Sequence, residues 1–153
     1  EEMSEIAISA ARVVRLFGFE PRVAFVSHST FGQPLTNRTK HIKKAVDILK
    51  DKNVDFEFDG DMQPDVALDN EYKDLYPFSK IVGNANILIM PGQHSAAISY
   101  KMMKSFGDAK VIGPLLIGLG LPIEIAPLRT STSEIINLAS IAAYSADKID
   151  YKI

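Results

Sequence analysis

Apolar positions along this 153-residue chain recur at two spacings, one helical and one typical of strands. Residues 3–17 and residues 37–52 carry apolar side chains three or four positions apart, so each segment predicts an amphipathic helix. Between them, residues 22–27 form a short apolar run that is typical of a buried strand. Gly18 stands where a helix would end, and Thr36 can cap the next helix. The chain is therefore expected to begin as helix, strand, helix.

The alternation of strands and helices continues through the rest of the chain. Short apolar runs predict four more strands, at residues 56–58, 87–90, 111–112 and 123–126. Helical spacing predicts two more helices, at residues 93–106 and 131–148. The Asp-Gly pair at residues 59–60 is expected to form an acidic turn that closes the second strand. Such an alternation predicts an α/β fold, a three-layer α/β/α lobe with a mostly parallel sheet.

Composition and charge narrow the classes of function. Lys and Arg number 17 against 19 Asp and Glu, which leaves no large positive field to attract nucleic acid. No apolar run approaches the ~20 residues that span a membrane, and no signal peptide opens the chain. Cysteine is absent, which excludes disulfides, thiolate nucleophiles and Cys-based zinc sites. We expect a cytoplasmic protein, and because the chain opens at Glu1 we expect it to be part of a longer one.

The remaining metal-ligating and cofactor-binding signals are weak. The histidines stand in no metal-binding spacing: His28, His41 and His94. Three aspartates could imitate a metal site, but solvated turn carboxylates are the favoured interpretation: Asp59, Asp61 and Asp65. The glycine-rich segment 113–122 opens no helix, so it does not match a dinucleotide-binding fingerprint. We expect neither a metal nor a cofactor in this chain.

An ordered set of segments carries a family resemblance. These are DGDMQPDVAL at 59–68, NILIMP at 86–91, SYK at 99–101 and VIGPLLIGL at 111–119. In this order they resemble the phosphate acetyl/butyryl transferases (phosphotransacetylases). The resemblance is greatest to the divergent phosphotransacetylase-like domain fused behind NADP-dependent malic enzymes.

The resemblance also has implications for the fold. It runs from about Ile6 to about Ala146 and corresponds to the C-terminal half of such a domain. It implies a fold like that of isocitrate and isopropylmalate dehydrogenases, with two lobes. Residues 1–122 would form one α/β lobe, and residues 123–153 would supply a strand and a helix that return to the other lobe.

The loop after the first predicted strand is the main candidate for a ligand site. Ligands bind at the carboxyl edge of parallel α/β sheets, and the SHSTFG segment at 27–32 begins at that edge. Its hydroxyls, its backbone N–H groups and the next helix N-terminus could cradle an anion. The Ser-x-Ser-Thr-x-Gly pattern is similar to the family's cleft loop, although a plain polar turn remains an alternative. The candidate ligand-binding residues here are Ser27, Ser29, Thr30 and Gly32.

Residues 127–134 depart from the family pattern. Active members carry a Ser-Arg pair and then an Asp, and the resemblance places Pro127 and Leu128 at the pair and Glu134 at the Asp. Losing one preorganised donor costs about 10²–10³ in rate, so we expect no catalytic residue here. The SxxE pattern that begins at Ser131 matches a helix capping box. The remaining ligand-binding candidates, which could partly replace the missing pair, are Arg129, Thr130 and Ser131.

Three functions stay open on the sequence alone. The favoured one is a non-catalytic regulatory module of an NADP-dependent malic enzyme, which senses acetyl-CoA while NADP and a divalent metal bind upstream. The second is an active acyltransferase that moves acetyl or butyryl groups between CoA and phosphate. The third is a role in assembling a homo-oligomer, a dimer or larger, because the predicted helix at 131–148 is apolar on more than one face. No nucleic acid or membrane partner is expected.

Overall fold

A parallel sheet organises the first part of the chain. The computed structural model describes residues 1–107, 110–119 and 121–148. In chain order its elements are α1 (Glu2–Leu16), β1 (Arg22–Val26), α2 (Asn37–Asp51), β2 (Glu57–Met62), α3 (Pro64–Leu68), a 3-10 helix (Asn70–Leu75), β3 (Ile87–Ile89), α4 (Gln93–Phe106) and α5 (Thr132–Lys148). Among these residues the sheet has three strands in the order β2-β1-β3, with all pairs parallel. The predicted α/β fold with a parallel sheet is confirmed.

Two hydrophobic clusters cover the two faces of this sheet. On one face, the apolar stripes of α1 and α2 pack against side chains from all three strands. That cluster consists of Ala7, Ala11, Val23, Phe25, Ile42, Ala45, Val46, Leu49, Phe58, Ile87 and Ile89. The other face is covered by α3 and the segment before β3, in a cluster of Ala24, Met62, Val66, Ala67, Ile81 and Ala85. Successive β1 side chains enter opposite clusters, as the period of two in a strand requires.

The predicted cap at the start of α2 is also present. The Thr36 hydroxyl oxygen accepts a hydrogen bond from the Thr39 N–H at 3.3 Å, and Thr39 Oγ1 accepts one from the Thr36 N–H at 2.9 Å. This reciprocal pair satisfies two N–H groups, one of them an orphan donor of the first helical turn. It fixes the point at which the loop after β1 becomes helix.

The second strand is longer than predicted, and the Asp-Gly pair lies inside it. β2 spans Glu57–Met62, so Asp59 and Gly60 do not form a closing turn. Phe25 of β1 pairs with Gly60, but Val26 pairs with Met62, which leaves Asp61 as an extra residue in the ladder. The expected turn was wrong because Gly60 serves close packing: a Cβ atom there would lie 2.7 Å from the Phe25 carbonyl oxygen. A β-bulge of this kind bends a strand and redirects its side chains.

Two of the predicted strands are absent. Residues 111–112 and 123–126 are described, but neither segment is a strand. A strand requires a neighbour to complete its hydrogen bonds. In the described chain the strand pairs are β1 with β2 and β1 with β3, and neither segment takes part in one. An apolar run alone does not supply that neighbour.

The chain forms two compact units, one from Glu1 to Ser99 and one from Tyr100 onward. The boundary falls within α4. The second unit contains α5, as the helical spacing predicted, and its one buried apolar side chain among the described residues is Leu138. The lobes that the resemblance implies at 1–122 and 123–153 stay a prediction, and residues 149–153 lie outside the described part.

Replacement of Gly60 by Ala is expected to lower the free energy of unfolding by about 2 kcal/mol or more. The new methyl group would meet the Phe25 carbonyl oxygen at 2.7 Å and Phe25 Cβ at 2.8 Å, both in the centre of the sheet. Urea unfolding followed by circular dichroism measures the change.

Gly92→Ala is the matched control for this substitution. No atom lies within 4 Å of a Cβ at Gly92, so its free energy of unfolding should change by less than about 0.5 kcal/mol. Equal stability of the Gly60→Ala and Gly92→Ala variants would contradict the close packing of β2 on β1.

Candidate functional site

The loop that follows β1 is hydrogen-bonded to the bulged end of β2. The Phe31 N–H donates to the Asp61 carbonyl oxygen at 2.6 Å. The neighbouring Gly32 N–H donates to Asp61 Oδ1 at 3.0 Å. Phe31 and Gly32 have φ values of 48° and 83°, so both lie in the left-handed region. Asp61 therefore binds the two residues at which the loop reverses direction.

Gln63 ties the same loop at a second point. Its backbone N–H donates to Thr30 Oγ1 at 3.2 Å, and its side-chain Nε2 donates to the His28 carbonyl oxygen at 3.3 Å. The Ser27 N–H extends the β1–β2 contact by donating to the Met62 carbonyl oxygen at 2.9 Å. The bulge and the residue after β2 thus fix the loop along most of its length.

The structure brings the four loop candidates together at the carboxyl edge of β1. Ser27, Ser29 and Thr30 are buried, and Gly32 is half-buried. The Ser27 Oγ atom accepts a hydrogen bond from the Ser29 N–H at 3.2 Å. Ser29 Oγ is buried and has no hydrogen-bond partner among the described residues. Of the four, only Ser29 keeps a hydroxyl that the described protein leaves unused.

Most backbone N–H groups of this loop already have acceptors. The Thr30 N–H donates to the Gln33 carbonyl oxygen at 3.3 Å, and the Gln33 N–H donates to the Thr30 carbonyl oxygen at 3.1 Å. With the bonds from Ser29, Phe31 and Gly32, five consecutive N–H groups are engaged. An anion at this edge would therefore compete with internal acceptors for these donors.

Two of the aspartates expected to be solvated are buried. Asp59 is 8% exposed, and its two oxygens accept hydrogen bonds from the Gly60 N–H at 2.9 Å and the Lys80 N–H at 2.7 Å. Asp61 is 4% exposed. The expectation was wrong for both because β2 continues through them, whereas Asp65 is exposed as predicted.

The described residues do not fit a metal ion. No group of three or more His, Asp or Glu side chains within them could hold one. The three histidines, His28, His41 and His94, are exposed. In the described chain, Asp59 and Asp61 hold backbone N–H groups of the protein itself.

The other candidate segment lies in the second unit and forms a turn. The Pro127 carbonyl oxygen accepts hydrogen bonds from the Thr130 N–H at 3.0 Å and from the Thr130 hydroxyl. Leu128, which the family resemblance places at the Arg position, is fully exposed, and Arg129 is exposed as well. Thr130 and Ser131 are thus used in local structure, and Arg129 is the one cation of this turn.

Glu134 has a structural role at the start of α5. Its Oε2 accepts hydrogen bonds from the Ser131 N–H at 2.7 Å and the Ser131 hydroxyl at 2.8 Å, and the Glu134 N–H donates to Ser131 Oγ at 3.3 Å. This is the predicted capping box. The Ser131 N–H, and then the Lys104 ammonium 2.9 Å from Glu134 Oε1, lower the pKa of Glu134 to about 2.

Comparisons with known proteins identify the family. The sequence pattern of the family described as Phosphate acetyl/butaryl transferase matches residues 1–143. An NADP-dependent malic enzyme from Rhizobium meliloti is 47% identical over 146 residues, and a phosphate acetyltransferase from Clostridium acetobutylicum is 36% identical over 150. The solved structure of EutD phosphotransacetylase from Staphylococcus aureus superposes with a TM-score of 0.86 at 28% identity, covering 94% of this chain. The chain belongs to the phosphate acetyl/butyryl transferase family.

The chain spans only part of these relatives. The matches cover 95% and 97% of this chain, but 19% of the malic enzyme and 45% of the phosphate acetyltransferase. The match also covers 45% of the phosphotransacetylase structure. In the described segments, no helix combines the length and apolar character needed to cross a membrane.

Asp61 is the residue of this site whose role the sequence reading missed. A signal for it exists, because Phe56, Phe58, Gly60 and Met62 alternate with three acids, which is the period of a strand. Reading that alternation through the Asp-Gly pair would have placed Asp61 inside β2. The bulge that directs it to the loop has no comparable signature.

Protonation of Glu134 is expected to loosen the start of α5. Because its pKa is about 2 against an ordinary value of 4.5, the stability contributed by its bonds is complete above pH 4.5. That contribution is lost as the pH falls toward 2. Carbon NMR of the Glu134 carboxyl group should give a titration midpoint near 2.

Lys104→Met should raise this midpoint only part of the way to 4.5, because the Ser131 N–H is the largest cause of the low pKa. Lys101→Met is the control, since Lys101 is an exposed lysine on the same helix. A wild-type midpoint near 4.5 would contradict the capping box in solution.

Proposed function

We propose that this chain is an acetyl-CoA-binding regulatory region of an NADP-dependent malic enzyme and does not itself transfer acyl groups. The observation that carries the proposal is the Pro127–Leu128 pair in place of the Ser-Arg pair that the family resemblance implies. Neither side chain can donate a hydrogen bond or carry a charge to the developing oxyanion. The 47% identity to a malic enzyme supports the choice of parent protein.

The loop after β1 is the proposed place of ligand binding. It keeps the Ser-x-Ser-Thr-x-Gly pattern, lies at the carboxyl edge of the parallel sheet and is held by Asp61 and Gln63. Such a loop is fixed in one conformation, and a ligand would displace internal acceptors or move side chains to reach its buried groups. Ser27, Ser29, Thr30 and Gly32 are the proposed contacts from this unit.

The second unit has a candidate of its own, and there Arg129 is the proposed residue for binding an anionic group. The hydroxyls of Thr130 and Ser131 are secondary candidates, because both already take part in local hydrogen bonds. Arg129 is exposed and its guanidinium group suits phosphate. We propose no catalytic role for this turn.

Regulation by this chain requires coupling to the rest of the parent protein. The oxidative decarboxylation of malate, NADP and the divalent metal would belong to regions outside this sequence. Acetyl-CoA can change that reaction only if it binds one conformation or assembly state of the parent more tightly than another. The proposal therefore includes a change of state on binding.

Self-association is a further part of the proposal. Large apolar side chains are exposed on the described helices of the second unit: Met102, Met103, Phe106, Ile135, Ile136 and Tyr144. Patches of this kind commonly mark protein–protein contacts. A homo-oligomer, a dimer or larger, would cover them.

A second candidate function is active phosphate acetyl or butyryl transfer. It is favoured by the family match and by Arg129, which lies one residue beyond the family's Arg position and is exposed. In that case the guanidinium group would have to reach the oxyanion from a shifted backbone position. A displacement of this size commonly costs a large factor in rate, so we rank this function second.

Calorimetric titration with acetyl-CoA is expected to give a dissociation constant near micromolar, which is about −8 kcal/mol. The Ser29→Ala/Thr30→Ala double variant should bind at least about tenfold more weakly, because it lacks two of the proposed loop contacts. CoA and inorganic phosphate serve as comparison ligands, and sedimentation of the same samples reports self-association.

Ser9→Ala on α1 is the control substitution and should bind as the wild type does. Thermal unfolding of each variant separates lost contacts from lost folding. Equal affinity of the double variant and the wild type would contradict a loop site, and a monomer at tens of micromolar would contradict self-association.

A further inference from the structure

Asp61 is a buried acid whose position is not explained by stability alone. It is 4% exposed, and its Oδ1 accepts the hydrogen bond from the Gly32 N–H at 3.0 Å. Its Oδ2 is buried without a hydrogen-bond partner among the described residues. A buried carboxylate oxygen without a donor is destabilising, so this position costs folding free energy. Such a cost is characteristic of functional sites.

The neighbouring Asp59 provides the contrast. It lies on the same strand and is 8% exposed, but both of its oxygens accept backbone N–H groups. Its partners, Gly60 and Lys80, lie outside the loop after β1. The hydrogen bonds of Asp59 therefore explain its burial, whereas those of Asp61 leave one carboxylate oxygen unexplained.

The loop residues that Asp61 holds adopt a backbone conformation that needs support. Phe31 has a φ of 48°, which is uncommon for a residue with a bulky side chain. Its ring packs against Tyr76 and Phe78, with centroid distances of 5.5 Å and 4.8 Å. Asp61 supplies the polar part of the same anchor through the N–H groups of Phe31 and Gly32.

We propose that Asp61 is a positioning residue that holds the loop after β1 in its ligand-binding conformation. The side chain acts on the ligand through Gly32 and does not contact it. The Asp61 Oδ1 atom accepts the Gly32 N–H, and this bond keeps Ser29 and Thr30 in place. This inference rests on the proposed function, because it assumes that the loop binds acetyl-CoA.

Hydrogen exchange of the Gly32 amide, measured by NMR without ligand, tests the tether directly. Asp61→Ala should speed this exchange by about tenfold, because the Gly32 N–H loses its buried acceptor. Asp61→Asn keeps an acceptor oxygen at Oδ1 and should restore most of the protection. Asp59→Ala should speed exchange of the Lys80 amide and leave the exchange rate of the Gly32 amide as in the wild type.

Acetyl-CoA affinity, measured on the same four proteins, tests the positioning role. Asp61→Ala should weaken binding by about tenfold, and Asp61→Asn should recover most of it, in parallel with the exchange rates. Should Asp61→Ala fail to fold, Asp61→Ser gives the same comparison, since its shorter side chain does not reach Gly32.

Two results would overturn the proposal. One is faster Gly32 exchange in Asp61→Ala with unchanged acetyl-CoA affinity. The other is an equal effect of Asp59→Ala on Gly32, which would mean general loosening of the sheet edge. If the wild type does not bind acetyl-CoA, the proposed function fails, and the exchange of Gly32 alone then decides whether Asp61 holds the loop.

Discussion

The close approach of β2 to β1 determines the arrangement of the rest of the first unit. Gly60 lets the backbone of β2 approach Phe25 so closely that a methyl group would not fit between them. One residue later the ladder shifts, and Asp61 is directed to the loop after β1. Neighbouring residues of β2 therefore make the close contact in the core and hold the candidate ligand loop. A change that moved β2 would disturb the packing of the sheet and the shape of the loop together.

The two candidate segments differ in what they retain. The loop after β1 has buried hydroxyls, a fixed backbone and the pattern that the resemblance implies for the family's cleft loop. The turn that begins at Pro127 has an exposed leucine where the family resemblance implies an arginine. Binding needs only complementary groups that are already in place, whereas catalysis needs groups that stabilise the transition state more than the bound substrate. A chain with the first segment and without the second fits a binding role.

Periodicity predicted α1 and α2 well because their apolar stripes face one side of the sheet. The stripe of α2, including Ile42, Val46 and Leu49, is buried as the spacing required. The turn predicted at the Asp-Gly pair was wrong. This pair is common in turns, but the alternation of Phe56, Phe58 and Met62 indicated that the strand continues through it. Burial of Asp61 could not be read from the sequence, since it depends on a register shift between two strands far apart in the chain. The same holds for residues 123–126, where no partner strand among the described residues completes the predicted one.

We propose that this phosphotransacetylase fold binds acetyl-CoA without turning it over. A thiol-release assay with acetyl-CoA and phosphate tests it most directly, because the chain has no cysteine and gives no background signal. A working phosphate acetyltransferase is the positive control. We expect no phosphate-dependent release of CoA from samples that bind acetyl-CoA in the calorimeter. Release of CoA that rises and saturates with phosphate concentration would contradict a binding role without catalysis. Arg129 would then be the first residue to test as a replacement for the missing Ser-Arg pair.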